Sequence, residues 1–180
     1  MKGVVFTLMG ELVEEKFGLD VWDALIDETR PASAGAYTTV ATYPDAELFA
    51  YVGCLSARTG VPPSELTRNF GVFMLHRFAG MHPEFFSEHT ARSFLMSVHD
   101  VIHAEVRKLH SDVLLPNFTY LEPGDGRLQM RYESQRRLCH LAEGLIDGTA
   151  GHFSTPIAIR HDVCMHLGAD HCLLDLTFGD

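Results

Sequence analysis

Disulfide-forming cysteine, long apolar runs and positive charge are all in short supply in this chain. Four cysteines in 180 residues are too few for a disulfide framework. A membrane-spanning helix needs roughly 18 or more consecutive apolar residues, and no such run occurs. Near the N-terminus, Glu11, Glu14, Glu15 and Lys16 arrive before the apolar core of a secretion signal can form. The expectation is a soluble, cytoplasmic protein without membrane insertion. Lys and Arg total 14 against 24 Asp and Glu, a net of -10. That removes the global basic footprint of a nucleic-acid or anionic-lipid binder, though not a small local patch. No Gly-x-Gly-x-x-Gly, phosphate-binding loop, Gly-x-Ser-x-Gly elbow or His-Glu-x-x-His occurs, so the common nucleotide, hydrolase and zinc-protease signatures are missing.

An apolar share of 46% is enough for a globular core and excludes collagen-like, mucin-like and wholly disordered chains. The first two thirds carry helical periodicity. Val4, Phe6, Leu8, Leu12, Val13 and Phe17 trace one side of a helix that stops at Gly18. Shorter helices follow at Val21–Ile26, from Pro44-Asp45 to Gly60, and from Pro63 to near Gly80. The longest is expected over Thr90–His110, with Phe94, Leu95, Val98, Ile102, Val106 and Leu109 as its buried stripe.

After Pro116 the period becomes two. Leu128, Met130, Tyr132, Ser134 and Arg136 fall on one face of an extended strand. Residues 137–150 return to helix, ending at Gly148, and strands follow at Thr155–Cys164 and Cys172–Phe178. This order predicts an α+β fold. It is a single domain over 1–180, with a helical subdomain near 1–60 and a second over 61–180 that holds the long helix and a small antiparallel sheet.

Three constellations carry chemistry. His99, His103 and His110 lie near one face of the long helix. A histidine beside an apolar stripe suits an axial haem ligand; taken alone, a core imidazole bonded to a carbonyl is the preferred reading. Tyr132-x-Ser134-x-Arg136 presents phenol, hydroxyl and guanidinium together, a face for carboxylates or phosphate; taken alone, a solvated sheet face is the preferred reading. Cys139, His161, Cys164 and Cys172 make three thiols and an imidazole, a closed tetrahedral Zn²⁺ set. His166 and His171 are alternative nitrogen ligands, and a buried Cys164/Cys172 pair or a redox disulfide is the competing reading. Cys54 reads as an inert core thiol.

Together these residues resemble the haem nitric oxide/oxygen binding (H-NOX) family across essentially the whole chain, from Met1-Lys2-Gly3 onward. The segment Phe94–Leu109 is similar to that family's proximal helix, and the resemblance assigns the iron ligand to His103. It assigns the haem propionates to Tyr132, Ser134 and Arg136, and makes Pro116 the proline packed against a distorted porphyrin. The zinc set is similar to one in bacterial stand-alone members.

In oxygen-binding relatives a distal tyrosine donates to O₂. Here Leu141 matches that position, and Met9 and Met74 match a supporting Trp and Asn. Val5, Phe78 and Leu145 complete an apolar lining. The resemblance thus implies a haem b and Zn²⁺ protein that senses nitric oxide, also binds CO and excludes stable O₂. It further implies a separate output partner, a sensor histidine kinase or a cyclic di-GMP enzyme. NO weakens the bond trans to it, so His103 would be released to move the long helix. A haem enzyme is the rival least favoured by the apolar distal set. A zinc-stabilised interaction or redox-sensing module without haem is the other.

Overall fold

The computed structural model describes residues 1–109 and 112–179. Four helices come first: α1 (Gly3–Phe17), α2 (Leu19–Thr29), α3 (Asp45–Thr59) and α4 (Pro63–Met81). Proline at the first position of α4 fits because that N–H has no helical acceptor to lose. Gly60 closes α3 at a φ of 74°, a left-handed cap that glycine adopts without a Cβ penalty.

The long helix is broken in register rather than continuous. It begins at α5 (Ala91–Ser97), where Thr90 and Ser93 cap each other reciprocally. A single π turn, Val98–Ile102, then leads into α6 (His103–Leu109), and the His103 N–H bonds back five residues to the Val98 carbonyl. His110 lies outside the described residues. Such one-turn insertions cost hydrogen-bond geometry and turn up mostly where function requires them.

A four-stranded antiparallel sheet follows: β1 (Asn117–Leu121), β2 (Arg127–Glu133), β3 (Ile157–Val163) and β4 (Cys172–Phe178), in the order β1-β2-β4-β3. Helix α7 (Cys139–His152) sits between β2 and β3 in sequence. The fold is the expected α+β arrangement, a helical N-terminal part packed on a part with a long helix and a small antiparallel sheet.

Three local expectations change. Strand β1 is additional; only Phe118 of its five residues is fully buried, so its alternation is weak in the sequence. Strand β2 stops at Glu133, and Ser134–Arg137 form a turn closed by Arg137 N–H to the Ser134 carbonyl at 3.1 Å. Ser134 and Arg136 therefore leave the sheet face that Leu128, Met130 and Tyr132 share. Gly148 is inside α7, not at its end. A Cβ there would lie 2.8 Å from Leu75 Cβ, and a Cβ on Gly144 would lie 1.9 Å from the Arg68 carbonyl oxygen. These glycines let α4 and α7 touch backbone to backbone.

Two apolar cores result. One gathers Phe6, Met9, Leu25, Tyr51 and Leu55 from α1–α3 with Phe70 and Met74 of α4. The other gathers Phe94, Leu128, Tyr132, Ile146 and Leu174 from α5, the sheet and α7. Helix α4 serves both. Phe78 and Leu145 touch both cores and mark the seam between them.

Candidate functional site: a seam for haem and a thiol–imidazole cluster

His103 heads α6, just past the π turn. Its ring lies 5.9 Å from Phe118, which lies 5.5 Å from Tyr132. Burial is the main force on its titration, reinforced by Arg107 and His99, and holds its pKa at about 4. The Pro116 carbonyl acts in the opposite sense without making a bond of hydrogen-bond geometry to Nδ1. That nitrogen is buried and has no partner. The imidazole is therefore neutral, with a lone pair to give a metal.

His99 is different. Its Nδ1 accepts the Phe118 N–H at 3.4 Å. In the neutral ring this leaves the proton on Nε2, so no lone pair remains for iron. Of the two histidines, His103 is the one whose ring nitrogens make no hydrogen bond of good geometry.

Tyr132, Ser134 and Arg136, the residues expected to meet an anion, lie at and just beyond the end of β2. Tyr132 is buried, its hydroxyl accepts the Leu138 N–H at 3.0 Å, and burial pushes its phenol up to about 12. Ser134 turns back on the chain, its hydroxyl accepting the Arg136 N–H at 3.2 Å. Arg136 Nε donates to Asp45 Oδ2 at 2.6 Å, and another guanidinium N–H donates to the Leu114 carbonyl. The remaining N–H groups of the fork are uncommitted. Ser134 and Arg136 line a cleft of about 600 Å³ with Asp45, Phe49, Leu114 and Leu115. In the sequence Asp45 reads only as the start of a helix, with no part in a site. Its signal would have been a carboxylate at the start of α3, but nothing local links it to a residue so far along the chain.

Around the seam the side chains are apolar. Met9 and Met74 are buried in the first core, and Val5 and Leu141 pack against it. Val5, Phe78, Leu141 and Leu145 are only half-buried. Apolar groups left partly uncovered between two cores are surface that a flat, hydrophobic ligand would cover. A neutral imidazole with an orphaned nitrogen, an arginine fork and this apolar seam fit a haem, with His103 for its iron and Arg136 for its carboxylates. His140, next to Leu141, faces elsewhere: its Nδ1 bonds Glu143 Oε2 at 2.8 Å and its ring stacks on His166.

The second group is compact. Ligand atoms of Cys139, His161, Cys164 and Cys172 all lie within 4.8 Å of one another. All three cysteines are free thiols. The Cys139 and Cys164 sulfurs are 3.9 Å apart. A tetrahedral zinc with Zn–S bonds of about 2.3 Å needs sulfurs roughly 3.8 Å apart. Burial first, then the neighbouring thiols, push the Cys139 thiol well up, so three thiolates here require a cation. His161 donates from Nδ1 to Glu143 Oε1 at 2.8 Å, and its buried Nε2 has no partner. This is a histidine braced by a carboxylate behind it and left open in front, as metal-ligating histidines are. The residues fit Zn²⁺. His166 and His171 stand outside this set: His166 bonds the Arg137 carbonyl, and His171 pairs with Asp170.

Glu143 was also missed. It is 7% exposed and takes both His161 and His140. Burial opposes its ionisation, but those two hydrogen bonds prevail and hold its pKa at about 2. The His140/Glu143 spacing is visible in the sequence; the approach of His161 is not. Cys54, expected in the core, is half-exposed, and its thiol donates to Glu28 at 2.9 Å.

The sequence profile of the Haem-NO-binding family matches residues 2–161. The chain belongs to that family. Among solved H-NOX structures, one from S. oneidensis in the Fe(II)NO state is 35% identical, with each chain covered completely and a TM-score of 0.94. A mutant of an S. oneidensis H-NOX protein in the Fe(II) state gives 35%, covering 100% of this chain and 97% of that one, with a TM-score of 0.95. The Fe(II) unliganded H-NOX protein from K. algicida gives 30%, 100% and 97%, with a TM-score of 0.91. Among curated proteins no match is found. No helix of the described residues is long and apolar enough to cross a membrane.

Proposed function

We propose that this H-NOX chain is a haem-based sensor of nitric oxide. In this reading it also takes CO, holds no stable O₂, catalyses no reaction and regulates a separate signalling protein. The single observation that carries this is the apolar character of Val5, Met9, Met74, Phe78, Leu141 and Leu145, with His140 bonded away on Glu143. Ferrous haem supplies the iron at which NO, CO and O₂ compete, and O₂ is retained only where a side chain donates a hydrogen bond to it. None of these six side chains has a donor to give. Relatives from S. oneidensis solved in Fe(II)NO and Fe(II)CO states support the gas class.

His103 is the iron ligand, Tyr132, Ser134 and Arg136 hold the propionates, and Pro116 sits against the porphyrin. No side chain braces His103 at Nδ1, so of the groups that would hold the haem it is the one whose release would free its helix. Motion of its helix is transmitted to the first subdomain near the end of α6. There Asp112 accepts from Lys2 Nζ and from Thr42 Oγ1, both at 2.7 Å. Two arrangements of the subdomains, biased by the ligand, are the switch. Cys139, His161, Cys164 and Cys172 hold Zn²⁺ as a structural ion with no open position. The partner is a sensor histidine kinase or cyclic di-GMP enzyme in the cytoplasm, and the acidic surface orients its docking.

The test is an anaerobic absorption spectrum of the reduced protein before and after NO, beside an air-exposed sample and the Leu141→Tyr variant. The expected result is a large shift with NO, no stable oxygen complex in the parent chain, and a measurable one in Leu141→Tyr. A stable oxygen complex in the parent would overturn the reading. Failure to take up haem on reconstitution would favour instead an interaction module built on the thiol–imidazole cluster.

A further inference from the structure

Outside the closed set lies a second group of ligand atoms. Those of Cys139, His140 and His166 also lie within 4.8 Å of one another. The two rings stack nearly parallel, 10° apart, with centroids at 5.4 Å. Their hydrogen bonds fix which nitrogen is bare. Beside the Glu143 carboxylate, His140 donates from Nδ1, and in the neutral ring its Nε2 keeps a lone pair. The Arg137 carbonyl can only accept; at 2.8 Å it accepts the His166 Nε2–H, which in the neutral ring leaves Nδ1 bare. The turn that aims this carbonyl is strained, Arg137 standing at a φ of 52°. The same carbonyl is also the acceptor for the Cys139 thiol at 3.9 Å.

Exposure is graded along this group. His166 is exposed, His140 half-buried and Cys139 fully buried. Cys139 belongs to both groups, and Glu143 braces one imidazole of each. A closed four-ligand site needs an entry path, and these three residues run from the solvent to one of its thiols.

We propose that Cys139, His140 and His166 form an outer, three-ligand Zn²⁺ site through which the ion enters and leaves the closed set. The inference rests on the zinc reading above. An ion captured from water would bind one nitrogen of each ring and the Cys139 sulfur, whose proton passes to solvent. Cys139 then keeps its bond while the nitrogens of His140 and His166 are exchanged for His161 Nε2 and the sulfurs of Cys164 and Cys172. Those two thiols release their protons to solvent. Departure is the reverse, with the thiolates taking the protons back.

The experiment uses the full haem-loaded chain, freed of zinc under reducing conditions. Zn²⁺ uptake, and its removal by a chromogenic chelator, are followed by stopped flow, and retained zinc is counted by elemental analysis. Changes just outside a metal's ligand set cost roughly 10- to 100-fold, and His166→Ala is expected to slow both rates by about tenfold while zinc content is unchanged. His166→Asp, which restores a ligand, should recover most of the rate, and the exposed-site control His82→Ala should match the parent. Parental rates in His166→Ala at full zinc content would overturn the outer site and leave the zinc reading intact. Loss of tightly held zinc in His166→Ala would put His166 in the inner set and also overturn the proposal. A parent chain that retains no zinc would overturn the zinc reading itself.

Discussion

His161 and His103 are both imidazoles with one unpartnered buried nitrogen, and the rest of their surroundings could hardly differ more. His161 is backed by an ionised carboxylate and aims its open nitrogen into three thiols. His103 has its orphan at Nδ1, with no carboxylate behind it, and nearby the Tyr120 hydroxyl is buried without a partner as well. A carboxylate behind a ligating ring fixes its tautomer and strengthens its donation. In the proposed reading, the difference shows how one chain would build two kinds of metal ligand, one braced by a carboxylate and one without that brace.

Removing the unbraced ligand is the strongest challenge to that contrast. His103→Gly should cost more than the roughly 100-fold that an outer-shell partner is worth to a metal site. Haem retained per chain is the readout, and added imidazole should restore the ligated spectrum. Unchanged pigment would make His103 a core residue. Next comes the brace itself. Glu143→Gln offers one carbonyl oxygen where two N–H donors need acceptors, so zinc affinity should fall by roughly 10- to 100-fold. Competition with a chelator measures it, and haem content should stay constant.

A smaller effect is expected where α7 carries Cys139 and Leu141 past α4. Gly144→Ala would press a methyl group onto the Arg68 carbonyl and should destabilise the fold by about 1–3 kcal/mol, measured by denaturant titration. The smallest change sharpens the unbraced side. Tyr120→Phe removes a hydroxyl with no partner and should leave stability equal or raised by about 1 kcal/mol. Burial pushes the Tyr120 phenol up to about 12. The folded chain thus keeps that proton where the unfolded chain, with a phenol pKa of about 10, gives it up. Its contribution is complete below the unfolded value and lost as pH rises through the folded one. Alkaline unfolding curves should therefore be shallower for Tyr120→Phe.

Much of this was legible before any coordinates. The helices were readable because apolar spacing and caps such as Gly60 and Pro63 act locally. The cluster Cys139, His161, Cys164 and Cys172 was readable because thiols are scarce enough to stand out. The π turn was not, since Val98, Ile102 and Val106 keep helical spacing whichever way the backbone bonds. Ser134 and Arg136 continue the two-residue rhythm of β2 after the strand has ended, so the pattern overran the structure. Glu143 and Asp45 were invisible for a different reason. Each gains its role from a residue brought in by the fold, His161 in one case and Arg136 in the other.

The contact between α4 and α7 also limits which sequences can encode this molecule. At Gly144 the space beyond the α-carbon is already filled by the Arg68 carbonyl, and at Gly71 by that of Leu141. Most positions on these helices can accept many of the twenty amino acids, but here the alphabet shrinks to one letter. A library of variants that sampled the two helices freely would carry almost no information at these sites except glycine. They are fixed points from which any redesign of the haem seam has to start.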